Sequence, residues 1–147
     1  MKIQSVLAVA ALAFASVAAA DHHKEKSAEA KCPVLDRPID KQFSADYMGG
    51  TVYFCCEECV GKFEKSPDKY ATKANHQLVV TGQAKQTKCP LTGRNLNPEK
   101  TVEVGGVEVE FCCANCEAKV AAAKPDEAIE MVFATKPFKT AYEVKKD

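Results

Sequence analysis

The sequence lacks a charge bias of either sign. Its 147 residues include 20 lysines and arginines against 20 aspartates and glutamates, which gives a formal net charge of zero. Proteins that bind nucleic acid or anionic membrane surfaces by electrostatics usually carry an excess of basic residues. The composition gives no support for either kind of partner, and we expect neither.

Residues that commonly catalyse reactions are also scarce. Only three histidines are present, and His76 alone lies after the first cysteine. A single histidine in that position is more often a surface residue than a general base. We recognise no serine–histidine–aspartate set and no glycine-rich phosphate loop. We therefore predict that the protein is not an enzyme.

One long apolar run lies at the amino terminus. Lys2 precedes an alanine-rich run over residues 3–18, and the small residues at 18–20 suit a signal peptidase. The run is short for a membrane span, and no cysteine follows it directly to carry a lipid anchor. We predict a cleaved signal peptide over residues 1–20, no stable membrane insertion after cleavage, and a periplasmic or extracellular protein.

Residues 21–30 are polar and show no apolar period, so we predict a flexible leader. Cleavage after residue 20 would leave a free amine on Asp21, followed by His22 and His23. A histidine third from a free amine can bind Cu²⁺ or Ni²⁺ through the amine, two deprotonated backbone amides and the imidazole. A leader that is merely polar is the simpler interpretation of the same residues.

All eight cysteines belong to two copies of one pattern. Each cysteine of the second copy lies 57 positions after its counterpart in the first. Chance does not place four cysteines twice at identical spacing, so the pattern indicates an internal duplication. The two sets are Cys32, Cys55, Cys56 and Cys59, and Cys89, Cys112, Cys113 and Cys116.

Each copy predicts a β-hairpin followed by a helix. A glycine pair, Gly49–Gly50 or Gly105–Gly106, lies between two short runs of strand-forming residues, which is typical of a tight hairpin. Helical spacing of apolar residues begins near Cys55 or Cys56 and predicts a short helix with one buried face. The predicted strands cover residues 43–47, 51–54, 101–104 and 107–111.

Each copy is also predicted to end in a strand. The apolar runs at residues 77–81 and 130–133 resemble each other and follow a helix-breaking proline–aspartate pair. The expected fold is therefore α+β. It consists of two tandem small modules, over residues 31–82 and 83–147 with a C-terminal tail, each built from a cysteine turn, a β-hairpin and a short helix.

The cysteines of each copy are expected to meet at the start of the helix. Cys56 and Cys59 are three positions apart and share a helical face, while Cys55 precedes the helix and Cys32 arrives from the turn. Thiols near a helix N-terminus ionise more readily. Three or four thiolates around one ion suit Zn²⁺, Cu⁺ or a softer ion. A module of about 55 residues also has a marginal core that a metal would stabilise.

Disulfide chemistry is the alternative that the sequence leaves open. Outside the cytoplasm, an even number of cysteines usually pairs. A bridge between adjacent residues such as Cys55 and Cys56 is strained, but Cys32 could pair with Cys56 or Cys59. The alternative function is therefore a disulfide-stabilised or thiol-redox-active module with no physiological metal.

The first copy resembles the YHS/TRASH domain group. The resemblance rests on the run from Tyr47 to Cys59, which contains two tyrosines, a glycine pair and Phe-Cys-Cys-x-x-Cys, and on Pro67-Asp68-x-Tyr70 after the helix. The second copy resembles it less, with Glu110 in place of the second tyrosine.

The resemblance implies a metal-binding or metal-sensing module in each copy. By position it implies two ligand sets, Cys32, Cys55 and Cys59, and Cys89, Cys112 and Cys116. Relatives often carry serine where this chain has Cys56 and Cys113, so these two thiols are fourth ligands, disulfide partners or buried thiols.

Overall fold

The computed structural model describes residues 29–145. The predicted signal peptide, and the leader residues Asp21, His22 and His23, lie outside this range. We call residues 31–82 the first unit and residues 83–145 the second unit. The described elements are β1 Asp40–Tyr47, β2 Gly50–Phe54, α1 Glu57–Lys65, α2 Pro67–Val80, β3 Ala84–Gln86, β4 Asn97–Val104, β5 Val107–Phe111, α3 Ala114–Ala121, α4 Pro125–Phe133, α5 Thr135–Ala141 and β6 Tyr142–Val144.

The predicted α+β class is confirmed, and so are the two hairpins. Strands β1 and β2 pair antiparallel, as do β4 and β5, and the register of each pair shifts at equivalent positions. Both central residues of each turn have positive φ, as a type I′ turn requires. In the second hairpin these are Gly105 and Gly106, whereas in the first they are Met48 and Gly49, so Gly50 already belongs to β2.

The predicted closing strands at residues 77–81 and 130–133 are wrong. The first lies in α2 except for Thr81, which ends that helix, and the second forms the end of α4. Both helices begin with proline at the first helical position, where its missing N–H costs nothing. Burial of Ala71, Ala74 and Leu78 at helical spacing then outweighs the strand preference of a short apolar run.

The third pair of strands links parts of the chain that are far apart in sequence. Strand β3 pairs antiparallel with β6, so that Gln86 lies opposite Tyr142. The pairing joins the segment after α2 to the end of the described chain. Within residues 29–145 the strands form three separate antiparallel pairs, and helices contact each pair.

One buried core runs through both units. Leu78 of α2 and Phe133 of α4 belong to the same cluster of buried side chains as Phe54 and Phe111. The His76 ring lies 4.9 Å from the Phe133 ring between centroids, and Asn75 Nδ2 donates to the Phe133 carbonyl at 2.8 Å. The units therefore stabilise each other through α2 and α4. Among residues 29–145 no helix has the length and apolar character needed to cross a membrane.

Candidate metal centres

Three thiols of the first unit come together at the junction of the hairpin and α1. Cys32 comes from the turn before β1, Cys55 follows β2 directly, and Cys59 lies in the first turn of α1. Their sulfur atoms all lie within 4.8 Å of one another, and we call these residues the first triad. Three thiolates around one ion, with bonds of about 2.3 Å, place their sulfurs about 4 Å apart. The triad therefore has the donor atoms and the size for a single metal ion.

The backbone around Cys32 is tightly turned. The Cys32 N–H donates to the Arg37 carbonyl at 2.8 Å, and the Asp36 N–H donates to the Cys32 carbonyl at 2.8 Å. Asp36 has a left-handed conformation with φ of 59°. The turn directs Cys32 inward, where it is fully buried. Arg37 contributes through its backbone carbonyl, while its side chain is exposed.

Cys56 is a fourth thiol at the edge of the first triad. It is half-buried at the N-cap of α1, and its sulfur lies 3.4 Å from Cys59 Sγ and 3.8 Å from Cys55 Sγ. The spacing in the sequence predicted that all four cysteines would come together. The structure brings them together: Cys32, Cys55 and Cys59 have their sulfurs within 4.8 Å of one another, and Cys56 lies within 3.8 Å of both Cys55 and Cys59.

The second unit repeats this arrangement. Cys89, Cys112 and Cys116, the second triad, also have their sulfur atoms within 4.8 Å of one another. Cys112 Sγ lies 3.8 Å from Cys116 Sγ and 3.7 Å from Cys113 Sγ. The Cys89 N–H donates to the Arg94 carbonyl at 2.9 Å, as Cys32 does to Arg37.

Thr92 distinguishes the second site from the first. Its hydroxyl oxygen lies 3.2 Å from Cys112 Sγ, within hydrogen-bond distance, while Leu35 occupies the equivalent turn position in the first unit. Sequence reasoning did not identify Thr92. A threonine in a cysteine turn gives no signal until the fold shows that it faces a thiol.

The thiols of the first site differ in how readily they ionise. Burial opposes ionisation of Cys32, but the backbone N–H groups around its sulfur outweigh that effect and lower its pKa. Burial raises the pKa of Cys59 well above its ordinary value, and hydrogen bonds with the neighbouring thiols raise it further. The Cys59 N–H lowers the pKa of Cys56, which lies at the helix start. One buried thiolate is thus favoured beside a thiol that holds its proton.

The thiols of the second site differ in the same way, with one that ionises readily and one that keeps its proton. Burial of Cys89 is outweighed by the Thr92 hydroxyl and nearby backbone N–H groups, which lower its pKa to about 7. Burial raises the pKa of Cys116 to about 12. A metal ion binding there must displace the proton of Cys116, so binding is coupled to proton release.

Two glutamines bond to the chain next to the sites, and no pattern in the sequence indicates these contacts. Gln77 of α2 and Gln86 of β3 each donate a hydrogen bond to the carbonyl of the residue before the first cysteine of a triad.

Glu57 and Glu58, next to the first triad, are exposed, and Glu58 pairs with Lys62 at 2.6 Å. That pair draws the Glu58 carboxylate toward Lys62.

Comparison with known proteins finds a family model that matches part of the chain. Residues 32–74 match the family model described as the YHS domain. This range holds the cysteine turn, the first hairpin, α1, the first part of α2 and all of the first triad. The second triad lies outside the matched range and shares the same geometry. No curated protein and no solved structure matches the chain.

Proposed function

We propose that the protein binds metal ions through two cysteine-thiolate sites and has no catalytic activity of its own. The observation that carries the proposal is the convergence of three thiols, twice, within 4.8 Å. Zn²⁺ and Cu⁺ are the ions best matched to such donors. Cys56 and Cys113 lie where each could complete a fourth position. The match of residues 32–74 to the YHS domain supports the first site.

Titration of the reduced protein with Zn²⁺ and with Cu⁺, each against a coloured chelator, tests this function. We expect two ions per chain for the physiological metal. Cys59→Ser and Cys116→Ser should each remove one ion, and the double variant should bind none. Failure of both metals to compete with the chelator would contradict the proposal.

A second candidate function is thiol–disulfide exchange, favoured by the 3.4 Å separation of Cys56 and Cys59. Cys56 is the more exposed of the two and would attack a disulfide of another protein. Cys59 would then displace that protein, which leaves as a dithiol while Cys56 and Cys59 keep the disulfide. Mass spectrometry of protein purified without reductant distinguishes exchange from metal binding. A Cys56–Cys59 bridge without metal supports exchange.

We also propose that the protein is exported, with residues 1–20 removed as a signal peptide. The support is the apolar run and the small residues at 18–20. Determining the N-terminal residue of the mature protein tests this directly, because an intact Met1 would overturn it.

If the mature chain begins at Asp21, its His23 provides a Cu²⁺ site. With the cysteines blocked, a visible Cu²⁺ band that disappears in His23→Ala would support that site.

A further inference from the structure

Gln77 links the two chain segments that carry the first two thiols of the first triad. Its side chain is buried, with 1% of its surface exposed. Its Oε1 accepts from the Tyr53 N–H at 2.7 Å, and its Nε2 donates to the carbonyls of Tyr53 and Lys31, both at 2.8 Å. Lys31 directly precedes Cys32, and Tyr53 lies two residues before Cys55. We call this set of three hydrogen bonds an amide bridge.

Gln86 forms the same amide bridge in the second unit. Its Oε1 accepts from the Glu110 N–H at 3.0 Å, and its Nε2 donates to the carbonyls of Glu110 at 2.7 Å and Lys88 at 3.1 Å. Lys88 directly precedes Cys89, and Glu110 lies two residues before Cys112. The bridged positions are therefore equivalent in the two units.

The glutamines themselves are not equivalent in the repeat. The residue 57 positions after Gln77 is Ala134, and the residue 57 positions before Gln86 is Glu29. A helix supplies the amide in one unit and a strand supplies it in the other. The same three bonds are thus made from two unrelated places in the fold, which points to a requirement of the site.

The bridge fixes the peptide group that leads into the first cysteine. The carbonyl of the Lys31–Cys32 peptide accepts from Gln77, and the N–H of the same peptide donates to the Arg37 carbonyl at 2.8 Å. With both ends held, this peptide group cannot rotate without breaking a hydrogen bond. A buried polar group left without its partner is costly. Gln77 therefore connects the residue before Cys32 to strand β2.

We propose that Gln77 and Gln86 are positioning residues that hold the first cysteine of each triad at metal-binding distance from the second. The inference rests on the proposed metal-binding function and adds a requirement to it. Groups that orient metal ligands without touching the metal commonly contribute ~10–100-fold to affinity. We expect each glutamine to contribute in that range to its own site.

Gln83 provides a matched control within the first unit. Its Oε1 accepts from the Thr51 N–H at 2.7 Å, and its Nε2 donates to the Thr51 carbonyl at 2.8 Å. Gln83 thus binds the same edge of β2 as Gln77. Its remaining bond goes to Thr81 and reaches no residue next to a cysteine. Loss of Gln83 should weaken the hairpin and leave Cys32 in place.

The first test uses reduced, metal-free protein and needs no metal binding. Alkylation of the buried Cys32 and Cys89 is timed by mass spectrometry in the wild type, Gln77→Leu and Gln83→Leu. Gln77→Leu should raise the Cys32 rate about tenfold relative to the Cys89 rate, because it removes a hydrogen bond that opposes opening of the turn. Gln83→Leu should leave that ratio unchanged. Equal ratios in the two variants would overturn the proposal.

The second test measures Zn²⁺ affinity at one site at a time. In a Cys116→Ser background, Gln77→Leu should weaken binding by ~10–100-fold and Gln83→Leu should not. Gln86→Leu should do the same to the second site in a Cys59→Ser background. Gln86 is only partly buried, so its variant decides the question if Gln77→Leu does not fold. If the wild type binds no Zn²⁺ or Cu⁺, the metal-binding function fails, while the alkylation ratios still decide the positioning role.

Discussion

Cys59 contacts two different partners in the first site, since its sulfur belongs to the triad and also lies 3.4 Å from Cys56 Sγ. The same thiol can therefore complete a metal site or close a disulfide, but not both at once. This relationship makes Cys59 the residue on which both candidate functions depend. Cys56, in contrast, lies at the edge of the triad and is needed only as a fourth ligand or as a redox partner.

We predict that Cys59→Ser is far more damaging to metal binding than Cys56→Ser. Binding at structural zinc sites is worth roughly 10–16 kcal/mol, so losing one of three thiolates should cost several kcal/mol, or on the order of a hundredfold or more in affinity. Chelator competition in a Cys116→Ser background gives the loss for Cys56→Ser and a lower limit on the loss for Cys59→Ser. Equal losses of affinity in the two variants would contradict this prediction and show that Cys56 contributes to metal binding as much as Cys59 does.

Metal affinity at the second site should depend on pH in a specific way. Binding displaces a proton from each thiol that is still protonated, so affinity rises with pH. The pKa of Cys89 is about 7 and that of Cys116 about 12. Of these two thiols, both release a proton on metal binding below pH 7, and only Cys116 does so above it. The slope of log affinity against pH should fall by about one as the pH passes through 7.

Thr92→Val provides the control for that prediction. The Thr92 hydroxyl lowers the pKa of Cys89, so its removal should raise that pKa and move the change of slope to higher pH. Affinity at pH 7 should fall in consequence, because more of Cys89 is protonated. The measurement is Zn²⁺ competition across the pH range in a Cys59→Ser background. A slope that stays constant in the parent and the variant would contradict the assignment.

Much of this arrangement could be predicted from the sequence because it is local. The glycine pairs and strand-forming runs specified both hairpins, and the helical spacing from Cys56 to Phe63 specified α1 to within one or two residues. The convergence of Cys32 with Cys55 and Cys59 followed from these elements. Local turn and helix geometry sufficed for the thiols.

The remaining features depend on contacts between distant residues. Residues 77–81 have an apolar run that suits a strand, yet burial of Leu78 in the shared core keeps most of them helical. The pairing of β3 with β6 and the bond from Gln77 to Lys31, 46 positions away, leave no local pattern. Sequence reasoning therefore predicted which thiols come together and missed the glutamines that bond to the residues before Cys32 and Cys89.

Gly105→Ala should destabilise the protein by about 2 kcal/mol. Gly105 has φ of +61°, where a side chain costs about 1 kcal/mol, and an added Cβ would lie 2.7 Å from His76 Nε2. His76 Nε2 lies 3.0 Å from the Gly105 carbonyl, and donation from its N–H to that oxygen would be lost, at a further cost of ~1 kcal/mol. Urea unfolding of Gly105→Ala, alone and with His76→Ala, measures both parts.

Met48 shows that the cost of the left-handed backbone can be separated from the cost of the contact with His76. It occupies the equivalent turn position in the first hairpin with φ of 53°, so the backbone there tolerates a side chain where no histidine opposes it. In the His76→Ala background, Gly105→Ala should therefore cost only about 1 kcal/mol. An undiminished cost in that background would show that the contact with His76 is not the cause.

Both units should unfold in a single transition, because one core contains side chains from each. Cys32 and Cys89 are fully buried and report on the first and second unit respectively. Pulse alkylation across a urea series should give the same midpoint for both thiols. Phe133→Ala, which removes a buried ring at the contact with His76, should lower both midpoints together by an amount equivalent to ~3–5 kcal/mol. Separate midpoints would mean that the units fold independently.

Native mass spectrometry with thiol counting, on protein purified from its own compartment, shows whether the two triads hold metal ions. We expect a mass increase for two bound ions per chain, with all eight cysteines recovered as thiols after the metal is removed. A chain without metal whose mass is lower by two hydrogens for each pair of cysteines would contradict it.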